Sequence, residues 1–206
     1  MASRSPRKSV HKSEGHYCGV TGEVNCKCDH KSGHKTAMQV DLKATMRILW
    51  TAHAVYTKFV INGLVDGSGD VDVNAARVLQ NQKDIGDQLK PIIGEGNGVE
   101  LTRLLQTHIK LAKTVATDAV NNSSQLNNDI NKFLNNGDEI SEFLERLNPK
   151  KLPFDAVSEM FLHHNQQVID MTTLRIKGQH KEEQRLYDAY FNHMMEMSDA
   201  ITDAVM

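Results

Sequence analysis

The sequence predicts an all-α fold, an antiparallel helical bundle of about six helices preceded by a basic arm that contains cysteine and histidine. Three observations predict it. Apolar residues recur in steps of three and four along almost the whole chain after residue 38. No alternating run long enough for a convincing strand interrupts them. Short turns rich in Gly, Pro, Asn and Asp separate the periodic segments, and short connections make neighbouring helices antiparallel.

The first helix is expected from Gln39 to Asn62, on a seam of Leu42, Met46, Leu49, Tyr56 and Val60. "GLVDGSGDVD" follows as a loop with Asp72 as N-cap. Its acids resemble the opening of a calcium loop, but Arg77 takes the closing acidic position and excludes that reading. The second helix runs from Val73 to Lys90 and is expected to stop near Pro91. "GEGNG" (Gly94 to Gly98) reads as a turn, and because it follows a helix rather than a strand it is no dinucleotide loop. The third helix spans Val99 to Val120 and ends in "NNSS". The fourth starts at Leu126 and keeps its seam through Phe133, Ile140 and Leu147, with Gly137 a candidate break. "NPKKLPFD" is a turn, the fifth helix then runs to Lys177 with Gly178 at its C-cap, and the sixth runs from His180 to Val205.

Composition bounds the function. With 206 residues, 39% hydrophobic and 24% charged, the chain suits one compact domain of ordinary size, or a domain with a tail. No apolar run is long enough to span a membrane. "MASRSPRKSVHKSEGH" has no apolar segment of the kind a secretory signal needs, so an intracellular, non-secreted protein with reduced thiols is expected. Residues 1–35 hold seven basic residues against three acidic ones, leaving seventeen against twenty-three for the rest. The chain therefore divides into a basic arm, residues 1–38, and an acidic bundle, residues 39–206.

Four helices carry a histidine where the count calls for an aliphatic side chain. These are His53, His108 between Leu104 and Leu111, His164 between Phe161 and Val168, and His193 between Tyr190 and Met197. Each lies near mid-helix, so an antiparallel bundle can bring them to one layer. Every neutral imidazole has two nitrogens that need partners. Four in one layer form either a hydrogen-bonded polar core or a centre for an unidentified divalent metal, for which imidazole suits zinc, iron, copper or nickel; the competing reading is separate core histidines, each satisfied by its own hydrogen-bond partner. Metal affinity would then fall as pH drops through about 6.5, the ordinary histidine value. Asp84 and Asp87 on the second helix are candidate ligands or orienting groups, and Gln82 lies on that helix's seam. The paired Glu-x-x-His helices of a di-iron bundle are missing.

"HYCGVTGEVNCKCDHKSGH" gathers all three cysteines of the chain with three histidines. Cys18, Cys26, Cys28 and His30 supply the four donors of a tetrahedral zinc site. The competing reading is a basic tail with incidental thiols. Electrostatic contact with nucleic acid through residues 1–35 is expected to be weak, and with Tyr17 the arm's lone aromatic it is not sequence-specific.

"ILWTAHAVYTKFVI", "NQKDIGDQLKPIIG", "LTRLLQTHIKLA" and "LYDAYFNHMMEMSDAI" resemble a family of small helical-bundle proteins of bacteria with relatives in Marseille-type giant viruses. The resemblance covers residues 40–206 and implies the bundle, a setting in the virion or host cytoplasm, and no particular reaction. The expected function is a metal-binding, virion-associated accessory protein whose partners are further copies of itself or virion proteins. Two alternatives are a metal-dependent hydrolase or oxidoreductase using the bundle histidines, and a packaging or scaffold protein acting through the arm.

Overall fold

The computed structural model describes the backbone from residue 30 onward and side chains from Gln39 onward. Six helices follow in order: α1 (His30–Asp66), α2 (Val71–Ile93), α3 (Glu95–Val120), α4 (Leu126–Leu147), α5 (Phe154–Ile176) and α6 (His180–Val205). Among the described residues there is no strand, and no helix is long and apolar enough to cross a membrane. The expected helical bundle is thus what the chain forms over these residues. Each helix packs on the next, and α6 returns to α1, closing a ring. Inside that ring α1, α3 and α5 also touch one another.

The register follows from paired side chains. Lys43 meets Asp203, Arg47 meets Asp199 and Thr51 meets Met195, stepping up α1 and down α6. Odd-numbered helices therefore run one way and even-numbered helices the other. The core is continuous along α1 through Leu42, Met46, Trp50, Ala54 and Ile61, while Leu49 and Tyr56 of the expected seam are only half-buried. The buried stripe is rotated by about one position from the one the sequence suggested.

Several boundaries move for identifiable reasons. α1 is longer at both ends than Gln39 to Asn62 and takes in residues 30–38, which the sequence had assigned to the arm. α2 runs through Pro91 to Ile93. Proline there removes the bond to the Asp87 carbonyl and crowds that carbonyl, yet only Ile92 and Ile93 follow before the helix ends. The break falls instead at Gly94, whose φ of 89° ends the helix while its N–H bonds back to Lys90 O. Gly94 alone is the turn, and Glu95 to Gly98 begin α3. Asp70, not Asp72, precedes α2, and Asp72 pairs with Lys113 at 2.7 Å. α4 is unbroken at Gly137, where a side chain would lie 3.0 Å from Asn165 Nδ2 on α5.

Two other glycines set the spacing of α2 and α3. A Cβ at Gly98 would stand 3.2 Å from Lys90 Cα and run into Lys90 Cγ; one at Gly86 would collide with the Thr102 hydroxyl. Gly98→Ala is expected to lower stability by about 1–3 kcal/mol through overpacking, although alanine is the better helix former. Gly96, with nothing within 4 Å of its would-be Cβ, is the control. Urea denaturation of Gly98→Ala and Gly96→Ala should give opposite signs; two neutral results would show that α2 and α3 can separate at no cost.

An ion cluster closes the end of the bundle where α1, α5 and α6 meet. Glu183, only 1% exposed, accepts hydrogen bonds from Lys58 at 2.5 Å and Arg175 at 3.1 Å, and Arg175 also pairs with Asp66.

Candidate functional site

The inner helices α1, α3 and α5 each contribute one buried imidazole to the middle of the bundle. His53, His108 and His164 are 3–4% exposed. The His164 ring lies 6.0 Å from the His53 ring and 5.6 Å from the His108 ring, centroid to centroid. The count of threes and fours places them inward, and the common direction of the odd helices places them level.

Their hydrogen bonds fix two tautomers. Asn136 Nδ2 donates to Glu139, which leaves Asn136 Oδ1 to face His108 Nδ1 at 2.9 Å. His108 Nδ1 must therefore carry the proton, and its Nε2 holds a bare lone pair. That Nε2 is buried with no well-formed hydrogen bond, although the Asn165 side chain lies beside the His108 ring, and His164 Nδ1 is buried without a partner as well. On the other side Gln82 Nε2 stands 3.0 Å from His53 Nδ1. In that amide orientation His53 Nδ1 accepts and its proton sits on Nε2. The same nitrogen lies 3.2 Å from Val78 O and 3.1 Å from Asn81 Oδ1, so its two hydrogens are shared among three acceptors.

Burial holds all three rings neutral. It lowers His53 to about 3, with the neighbouring His108 charge adding to the effect. It lowers His108 to about 4 despite the Asn136 bond, which favours the charged form. His164 is pushed well below its ordinary value by burial and then by His108 and His53.

Tyr190 takes the place that α6 offers to this layer. Its ring stacks on His164 at 5.5 Å, burial raises its phenol, and its hydroxyl lies near Thr57. Neither hydroxyl has a hydrogen-bond partner among the described residues. His53, Thr57, His108 and His164 line one wall of a cavity whose other walls are mostly aliphatic, including Val60 and Val78. The cavity offers about 30 Å³ to the centres of water-sized molecules, room for a water or a single ion.

The remaining sequence candidates do not reach this centre. His193 stands level with His53 by the α1–α6 register, yet it turns outward. Its Nε2 donates to Met160 O at 3.0 Å and its ring meets His163 at 4.7 Å. Met194 occupies the inner position instead, fully buried. Asp84 is half-exposed beside Arg77 and Gln80, and Asp87 pairs with Lys83 and Lys90 on the surface. Both follow from spacing: with Ile85 and Leu89 buried, positions 84 and 87 fall on the outer side of α2. The arm candidates Cys18, Cys26, Cys28 and the His30 side chain lie outside the described residues. Among the described residues no group of three or more His, Cys, Asp or Glu side chains stands ready to hold a metal ion.

Asn136 and Tyr190 were missed as members of the centre. Tyr190 lay on the α6 seam, but a tyrosine there reads as ordinary core. Asn136 offered a weaker signal, a polar residue one position before the α4 seam glycine. Compared with known proteins, the chain matches no family model, no curated protein and no solved structure.

Proposed function

We infer that the protein is a metal-binding helical-bundle accessory protein whose centre is the His53–His108–His164 core. One observation carries this reading: two buried imidazole nitrogens, His108 Nε2 and His164 Nδ1, make no well-formed hydrogen bond and belong to residues lining the same small cavity. A buried polar atom without a partner costs about 1–3 kcal/mol, so a ligand that takes the His108 lone pair, and that of His164 with its proton on Nε2, recovers that cost. A soft or borderline divalent cation such as zinc or copper does so. Asn136 on His108 Nδ1 then plays the orienting part usual behind a metal-bound histidine. His53, whose Nδ1 faces the Gln82 amide nitrogen, keeps its proton on Nε2 and stays in the cavity wall as a donor rather than a ligand. The rings must rotate into ligand distance, about 2 Å from the ion. Its accessory role beside virion proteins rests on the sequence resemblance alone.

The low basicity of the core changes the pH behaviour expected from the sequence. With His108 neutral down to about 4, protons do not compete for its Nε2 near pH 6. Core metal affinity should stay nearly level from pH 7.5 to 6, whereas exposed histidine sites lose affinity through about 6.5.

Copper provides the test. Trp50, the lone tryptophan, has its ring 5.9 Å from that of His53. In full-length protein carrying Cys18→Ser, Cys26→Ser and Cys28→Ser, one equivalent of copper(II) is expected to quench Trp50 fluorescence equally at pH 7.5 and 6. His108→Gln, which can still donate to Asn136, should abolish the quenching while the circular dichroism stays helical. Unquenched Trp50 in the histidine-intact protein would leave these rings as a hydrogen-bonded polar core and nothing more.

A further inference from the structure

We propose a second divalent-cation site on the surface of the bundle, formed by His163 of α5 with His193 and Glu196 of α6, and suited to a borderline ion such as zinc. The argument does not depend on the buried core.

It begins with a proton. His193 Nε2 lies 3.0 Å from the Met160 carbonyl oxygen, and a carbonyl can only accept, so Nε2 carries the hydrogen. His193 Nδ1 is then a lone pair in the neutral ring. It faces Glu196 Oε2, another acceptor, at 3.8 Å. In the neutral ring two lone-pair atoms then face each other, an arrangement that either a proton or a metal cation stabilises.

The second imidazole is near, although the three side chains are not gathered around an ion as they stand. The His163 ring stands perpendicular to His193 with centroids 4.7 Å apart. Two imidazoles bound to one tetrahedral ion at about 2.0–2.1 Å put their centroids roughly 5 Å apart, so a small rotation suffices. Glu196 is 78% exposed and His163 is exposed, which lets both chains swing onto an ion held first by His193. Glu159 lies one turn before His163 on the same face of α5 and can supply a fourth oxygen. The Met160 carbonyl behind His193 is the backbone acceptor that commonly fixes the tautomer of a metal-bound histidine.

The chemistry is binding without redox or group transfer. Its structural effect is a clasp between α5 and α6 at their middle. Zinc should therefore raise the melting temperature of the intact protein as well as bind to it.

Zinc chloride is the probe, and the full-length chain with its three cysteines changed to serine is the protein. Nitrogen-15 spectra of the histidine side chains should show His193 Nδ1 moving to a metal-bound position while Nε2 stays protonated. His163→Ala and Glu196→Gln, both exposed positions, should each weaken this zinc site by about tenfold or more and remove the zinc-induced rise in melting temperature. Trp50 quenching by copper at the buried core should be untouched in both variants, so the two sites fail separately. If His163→Ala binds zinc as tightly as the parent, or His193 Nδ1 shows no metal shift, the surface site does not exist.

Discussion

Between pH 7 and pH 5 the protein is expected to lose about 4 kcal/mol of stability from His53 and His108 alone. Both rings have basicities in the folded state far below the ordinary value, about 3 for His53 and about 4 for His108, because burial penalises the charged form. In the unfolded chain each titrates near 6.5. As pH falls below about 6.5 the unfolded state takes up protons that the folded state refuses, so stability drops by about 1.4 kcal/mol per pH unit for each group. That contribution is complete above about 6.5 and is lost progressively towards the folded values. At pH 5 each ring has cost about 2 kcal/mol. His164 and the half-buried His193, both shifted the same way, steepen the fall. Against a typical total of about 5–15 kcal/mol, the loss brings the bundle close to acid unfolding. Urea melts at half-unit steps from pH 7.5 to 5 measure it. His108→Gln keeps a donor for Asn136 and cannot titrate, so its slope should be shallower by about 1.4 kcal/mol per pH unit. A flat profile down to pH 5 would mean that these rings reach water or a counter-charge in the folded state.

The second large effect is expected at the opposite side of the charge scale. Glu183→Ala should cost about 3 kcal/mol, the lower end for removing one partner of a buried pair. The side chains of Lys58 and Arg175 that it serves are 12% and 15% exposed, so Lys58 would lose its carboxylate with little water to replace it and Arg175 would keep only Asp66. Burial raises the Glu183 carboxyl, but the bonds from Lys58 and Arg175 outweigh that and hold it below the usual range. Its contribution is therefore present above about pH 4.5 and disappears below, a window separate from that of the histidines. Glu183→Gln keeps the shape and one acceptor and should cost less than alanine. Denaturant melts at pH 7 distinguish the cases; a loss under about 1 kcal/mol for alanine would class the cluster with solvated surface pairs.

Which parts of this were legible follows from what each pattern encodes. Steps of three and four encode a face, and they located six helices, the buried positions 53, 108 and 164, and the sixth helix to the residue. They do not encode the small rotation that picks between neighbouring positions on that face. His193 and Met194 both satisfy the count after Tyr190, since three and four bracket the 3.6-residue turn equally well. Packing chose the methionine, because burying a thioether costs nothing that burying another imidazole would. The same ambiguity rotated the α1 stripe from Leu49 and Tyr56 to Trp50 and Thr57.

The sequence by itself determined the helical bundle, its antiparallel order and a set of mid-helix histidines, because propensity, periodicity and short turns are local properties. Only the tertiary structure decided which histidines meet. The three on odd helices share a direction and a mutual contact inside the ring, so they converge. The fourth, on α6, is level with them but faces outward towards His163. Partner choice was equally non-local. Asn136 is 28 residues from His108 and Gln82 is 29 from His53, separations across which no spacing rule operates. Asp84 and Asp87 show the converse: a carboxylate on the right helix contributes nothing to a buried centre when solvation holds it on the outer face.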